Sequence, residues 1–117
     1  MELEGEVSLP EEVVLKRGEG FTGSVIKVPE GKELTLSNIT VDCNGENIKA
    51  SGPLVEVVGT FNMKAGTVLQ NNNTRAMYGA GVHVSYNATF NMYDGSIINN
   101  SNYVKGGGVG VLSLIHI

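Results

Sequence analysis

Apolar residues in this chain recur as pairs split by one other residue. Examples are Ile26-Lys27-Val28, Leu34-Thr35-Leu36, Val55-Glu56-Val57, Phe61-Asn62-Met63, Val82-His83-Val84, Phe90-Asn91-Met92 and Val109-Gly110-Val111. Alternation with a period of two places one side of a strand in a core and the other toward water. No ten-residue stretch carries an apolar stripe at i, i+3, i+4, i+7, so helices are not expected. The pairs are bounded by Gly, Asn, Ser and Pro, the residues of tight turns. The pattern predicts an all-β chain of many short strands.

The strands repeat. Shifting the chain against itself by 27 to 29 residues aligns four units. The first column holds Val7, Leu34, Phe61 and Phe90; the next inward position holds Leu9, Leu36, Met63 and Met92. Further along stand Val14, Val41, Val68 and Ile97, then Arg17, Asn44, Asn71 and Asn100. A second apolar pair recurs as Ile26/Val28, Val55/Val57, Val82/Val84 and Val109/Val111. Similar residues one unit apart imply coils that stack, each strand lying on its counterpart in the coil before. The fold expected is a single-chain parallel β-helix, a solenoid of about four rungs starting near residues 6, 33, 60 and 89. Residues 1–5 form a lead-in, 6–111 the repeats, and 112–117 a tail that breaks the rhythm. Phe61, Phe90, Met63 and Met92 would stack in the core. Asn44, Asn71 and Asn100 would either bond as a buried amide ladder about 4.8 Å per step or serve as turn residues in the left-handed region.

Stacking is also an energetic requirement. Five buried apolar side chains per unit supply on the order of 10 kcal/mol, less than the roughly 1–2 kcal/mol per residue needed to order 27 backbones. An isolated unit would not hold together.

Composition narrows the function classes. Sixteen glycines and 12 asparagines in 117 residues suit a turn-rich chain and disfavour helices. A net charge of -4 with eight basic residues offers no patch for a nucleic-acid backbone. The single Cys43 excludes an internal disulfide and a multi-cysteine metal site. No cofactor is expected. No apolar run approaches the roughly 20 residues of a membrane span, and the acidic start, Met1 to Gly5, shows no signal-peptide h-region.

The segments Arg17-Gly18-Glu19-Gly20-Phe21-Thr22-Gly23-Ser24 and Leu34-Thr35-Leu36-Ser37-Asn38-Ile39-Thr40-Val41-Asp42 resemble the opening of β-helix regions in bacterial cell-surface proteins. Thr60-Phe61-Asn62-Met63, Gly66-Thr67-Val68 and Gly79-Ala80-Gly81-Val82-His83-Val84 are similar to their later repeats. The resemblance covers about residues 6–111. It implies the right-handed, pectate-lyase-like β-helix of large adhesin-like or wall-anchored proteins, hence an extracellular or cell-surface location. Cys43 departs from it, standing where such repeats commonly carry glycine. The ending Leu112 to Ile117 resembles translated adapter read-through on a truncated gene; the alternative is a genuine apolar cap strand.

Two function classes follow. The first is a non-catalytic structural or adhesive module. Its outer positions Thr35, Asn62, Asn91 and Thr40, Thr67, Ser96 would face glycans or host or bacterial surface proteins, with further rungs of a parent chain as neighbours. The second is a fragment of a polysaccharide lyase or glycoside hydrolase whose catalytic rungs lie elsewhere. Lys27, Glu56 and His83 form the one outward column with acid–base potential, and they are weak catalytic candidates. The resemblance implies a calcium-binding aspartate cluster with a catalytic arginine, or paired aspartates, and neither is found; Asp42 and Asp94 fall in different registers. Asp42-Cys43-Asn44-Gly45-Glu46 lacks the remaining ligands of a calcium loop and reads as a turn. The glycine runs at 79–81 and 106–108 precede strands and not helices, so they are turns and not phosphate loops. Cys43 is expected to be an inert thiol. The sequons at Asn38, Asn72, Asn87 and Asn99 are ascribed to Asn, Ser and Thr richness.

Overall fold

In a computed structural model, residues 3–18, 23–45, 52–74, 80–100 and 109–111 are described, the side chains of 8–12 and 109–111 excepted. The strands are β1 (Gly5–Lys16), β2 (Ile26–Val28), β3 (Glu33–Asp42), β4 (Val55–Val57), β5 (Thr60–Met63), β6 (Val68–Gln70), β7 (Val82–Val84), β8 (Thr89–Met92), β9 (Ser96–Ile98) and β10 (Val109–Val111). They form two parallel sheets. One runs β2-β4-β7-β10, and the other runs β8-β5-β3-β6-β9 with β1 also paired to β3. The ten-residue β3 pairs with β5 through its first half and with β6 through its second.

Register repeats the sequence period. Ile26, Val55 and Val82 lie side by side, as do Leu34, Phe61 and Phe90. The inner faces of both sheets meet in one core, where Val28, Leu34, Leu36, Val41, Val55, Val57, Phe61, Met63, Leu69 and Val82 are fully buried. Each such side chain contributes about 1.5–3 kcal/mol. Phe61 and Phe90 stack with ring centroids 5.4 Å apart and planes 9° from parallel.

Corners are set by residues in the left-handed region. Asn38 (φ 55°) and Gly66 (φ 79°) occupy matching corners, and Asn38 N donates to Ala65 O at 3.1 Å. Gly59 sits directly against the turn between β2 and β3. A Cβ there would run into the carbonyl oxygens of Pro29 and Lys32.

Six positions differ from the expected columns. In the first unit, Val7 lies opposite Leu36 instead of Leu34, and Leu15 instead of Val14 lies opposite Val41. The cause is a register shift between Ser8 and Val13, which also takes Leu9 out of the column. In the third, Leu69 and not Val68 joins Val41 and Ile97, because the corner before β6 is one residue longer. Thr67 therefore leaves the outer face: it is fully buried and its hydroxyl donates to Leu36 O at 3.0 Å. Met92 lies against Met63 but is 46% exposed, since no described strand covers β8 on its far side.

The proposed interior ladder of Asn44, Asn71 and Asn100 does not form. Asn44 and Asn71 are left-handed turn residues (φ 56° and 63°), and the third left-handed member is Asn99 (φ 54°). Asn100 instead caps its neighbour, accepting from Asn72 N at 2.9 Å and donating to Leu69 O at 3.1 Å. Arg17 is displaced likewise: its backbone N bonds Asp42 O, placing it against Cys43.

Candidate functional site

The second sheet turns polar residues outward in register. Glu6, Thr35, Asn62 and Asn91 occupy one column across four successive strands. Glu33, Thr60 and Thr89 form the column beside it. Strands β3, β5 and β8 place them there because Leu34, Leu36, Phe61, Met63 and Phe90 claim the inner positions, and alternation sends their neighbours out. Lys64 and Tyr93 follow on the same face, at the ends of β5 and β8.

An amide ladder runs along this outer column. Asn91 Nδ2 donates to Asn62 Oδ1 at 2.9 Å, and Asn62 Nδ2 donates to Glu33 Oε2 at 2.7 Å and Thr35 Oγ1 at 3.1 Å. Asn62 is 7% exposed although it faces away from the core. A groove of about 750 Å³ follows the ladder, lined by Glu6, Glu33, Thr35, Asn62, Lys64, Asn91 and Tyr93 with Gly5. Fixed amides and hydroxyls, charged rims and an exposed ring make a surface suited to a ligand rich in hydroxyl groups. The ladder was legible only as a polar column; the hydrogen bonds between its members were not foreseen.

On the other sheet, Lys27, Glu56 and His83 lie in adjacent register and Gly110 completes the row. All three side chains are half-buried. Burial pushes the His83 imidazole below its ordinary 6.5, and Glu56 partly opposes the shift. A neutral imidazole beside a carboxylate can exchange a proton. Among the described residues, however, no cluster of three His, Cys, Asp or Glu side chains is placed to hold a metal ion.

The remaining candidates have structural partners. Asp42 Oδ1 accepts from Asn44 N at 2.8 Å, while Oδ2 accepts from Gln70 Nε2 at 3.1 Å and Asn71 Nδ2 at 3.0 Å, so its carboxylate ties its own turn to the end of β6. Cys43 is buried, and that burial pushes its thiol above the ordinary value against a smaller lowering by Arg17. The Arg17 guanidinium reaches Cys43 Sγ at 3.6 Å and Asn72 Oδ1 at 3.5 Å. Asn72 Nδ2 in turn donates to Ala80 O at 2.7 Å and Gly52 O at 3.0 Å. This buried polar plug at one corner was missed in the sequence, where Asn72 stood out only as a sequon. Asn38, Asn87 and Asn99 are exposed. Gly79, residues 106–108 and the tail 112–117 lie outside the described residues.

Compared with family models, curated proteins and solved structures, the chain matches none. Among the described residues no helix is long and apolar enough to cross a membrane.

Proposed function

We propose that the chain is a run of coils of a right-handed parallel β-helix, and that it works as a non-catalytic structural and adhesive module of a bacterial cell-surface protein. Parallel pairing at intervals close to the sequence period supports the coil, and the strong preference of parallel crossovers supports its hand. The location rests on the resemblance of the repeats to surface proteins. In this reading the core is a spacer and the face of β3, β5 and β8 is the contact surface, taking glycans.

One observation carries the reading: Asn62 ties Glu33, Thr35 and Asn91 together by side-chain hydrogen bonds at the floor of a groove. Groups already ordered lose little entropy when a ligand binds. A glycan array probed with the 117-residue chain tests it. Retention of specific glycans, lost in Asn91→Ala and Tyr93→Ala, is expected; an array without signal refutes the reading. The second reading, a piece of a carbohydrate-active enzyme, is favoured only by the Lys27, Glu56 and His83 row. Unsaturated or shortened oligosaccharide formed by the chain would select it.

A further inference from the structure

A second groove of about 580 Å³ opens beside the first, with Lys32, Glu33, Thr60, Tyr86 and Asn87 in its lining. Glu33 lines both grooves and is the one lining residue they share. Its position is fixed by the 2.7 Å bond from Asn62 Nδ2. Tyr86 belongs to the second groove and Tyr93 to the first, at 67% and 68% exposure the barest large hydrophobic side chains among the described residues. Both belong to the same coil: Tyr86 lies in the turn before β8 and Tyr93 directly after it.

We propose that the two grooves form one continuous glycan site, with Tyr86 and Tyr93 as stacking platforms and Glu33 between them, and that its ligand carries amino groups and not carboxyl groups. The inference rests on the glycan-binding reading and adds an extent and a charge to it. The apolar face of a sugar ring covers an aromatic ring at little desolvation cost, while hydroxyls meet the amide column between the platforms. Charge decides the rest. Glu6, Glu30 and Glu33 line the combined site against Lys32 and Lys64, a balance of three negative to two positive charges. Lys32 already faces Glu4 at 3.4 Å. The whole chain carries -4. A glycan with a carboxylate on every residue is repelled by this field, and one with ammonium groups is drawn to it.

The test is titration of the 117-residue chain with three oligomers of equal length: β-1,4-linked glucosamine, β-1,4-linked glucose, and galacturonate, the last with and without calcium. The glucosamine oligomer is expected to bind roughly tenfold more tightly than the glucose oligomer at low salt, with the margin shrinking near about 0.5 M NaCl as charges are screened. Galacturonate should bind most weakly. Glu33→Gln keeps an acceptor for Asn62 and should erase the glucosamine preference while leaving glucose binding in place. Tyr86→Ala should weaken both. Galacturonate binding as tight as glucosamine, with or without calcium, overturns the charge inference and leaves the glycan reading standing. A Tyr86→Ala variant that binds like the parent overturns the joining of the grooves. Glucosamine binding that survives loss of both tyrosines is general attraction to an acidic chain and overturns the proposal. Failure of all three oligomers overturns the glycan reading itself.

Discussion

Asn91 Nδ2 donates to Asn62 Oδ1 at 2.9 Å, joining two residues 29 positions apart that lie opposite each other on the paired strands β5 and β8. The backbone of β5 and β8 is already paired, so this bond adds a side-chain tie to the same step. It also fixes the direction of the column, since Asn62 passes its own N–H groups upward to Thr35 and Glu33.

Removing the middle of that chain is therefore costly. Asn62→Ala leaves Glu33, Thr35 and Asn91 without a shared partner and should destabilise by about 1–3 kcal/mol, whereas Asn91→Ala should cost about 1 kcal/mol or less. The double variant should reveal a coupling of roughly 0.5–1.5 kcal/mol by chemical denaturation. Strict additivity would show the ladder to be energetically idle.

Met63 and Met92 occupy equivalent places in two matching Thr-Phe-Asn-Met segments, yet one is fully buried and the other is 46% exposed. Met63→Ala should cost about 2–5 kcal/mol and Met92→Ala under about 1 kcal/mol. Thermal unfolding compares them directly, and equal losses would mean that β8 is covered in solution.

Gly66 and Gly31 both hold positive φ, 79° and 77°. A Cβ at Gly66 would collide with Asn38, while at Gly31 nothing lies within 4 Å. Gly31→Ala should cost about 1 kcal/mol from conformation alone, and Gly66→Ala distinctly more because the stacked corner must also move. Equal effects in denaturation would remove close stacking as the reason for glycine there.

The parallel sheets and most inward columns were legible because strands alternate with period two and the units repeat, so each inward column was written several times. What misled were the places where the count changes. In β1 the offset to β3 is 29 residues at Gly5 and 26 at Val13, and a uniform shift of 27 averages them and misplaces Val7, Val14 and Arg17. Before β6, the adjacent Val68 and Leu69 are equally apolar, so sequence alone does not say which turns inward. The outer column of Thr35, Asn62 and Asn91 was visible as polar residues, but bonding between side chains depends on distances that no pattern encodes. Tyr86 was invisible as a site residue because it lies in a turn, outside the repeating columns.

His83 and Cys43 titrate in opposite senses. Burial holds the His83 pKa below 6.5, so the unfolded chain binds the proton more tightly and stability falls as pH drops through 6.5 toward the folded value. Burial holds the Cys43 thiol above its ordinary 9.0, so stability falls as pH rises beyond 9.0 while the unfolded thiol ionises. His83→Gln should flatten the acid limb of a stability profile and Cys43→Ala the alkaline limb. Unchanged limbs would contradict the burial of these groups.

The most direct test of the binding face is NMR mapping of the isotopically labelled chain during titration with the glucosamine oligomer. Saturable shifts of the Asn62 and Asn91 side-chain amides and of the Tyr86 and Tyr93 rings are expected, with Lys27, Glu56 and His83 unmoved. Shifts confined to the Lys27, Glu56 and His83 face, or no saturable shift anywhere, would contradict the proposed binding face.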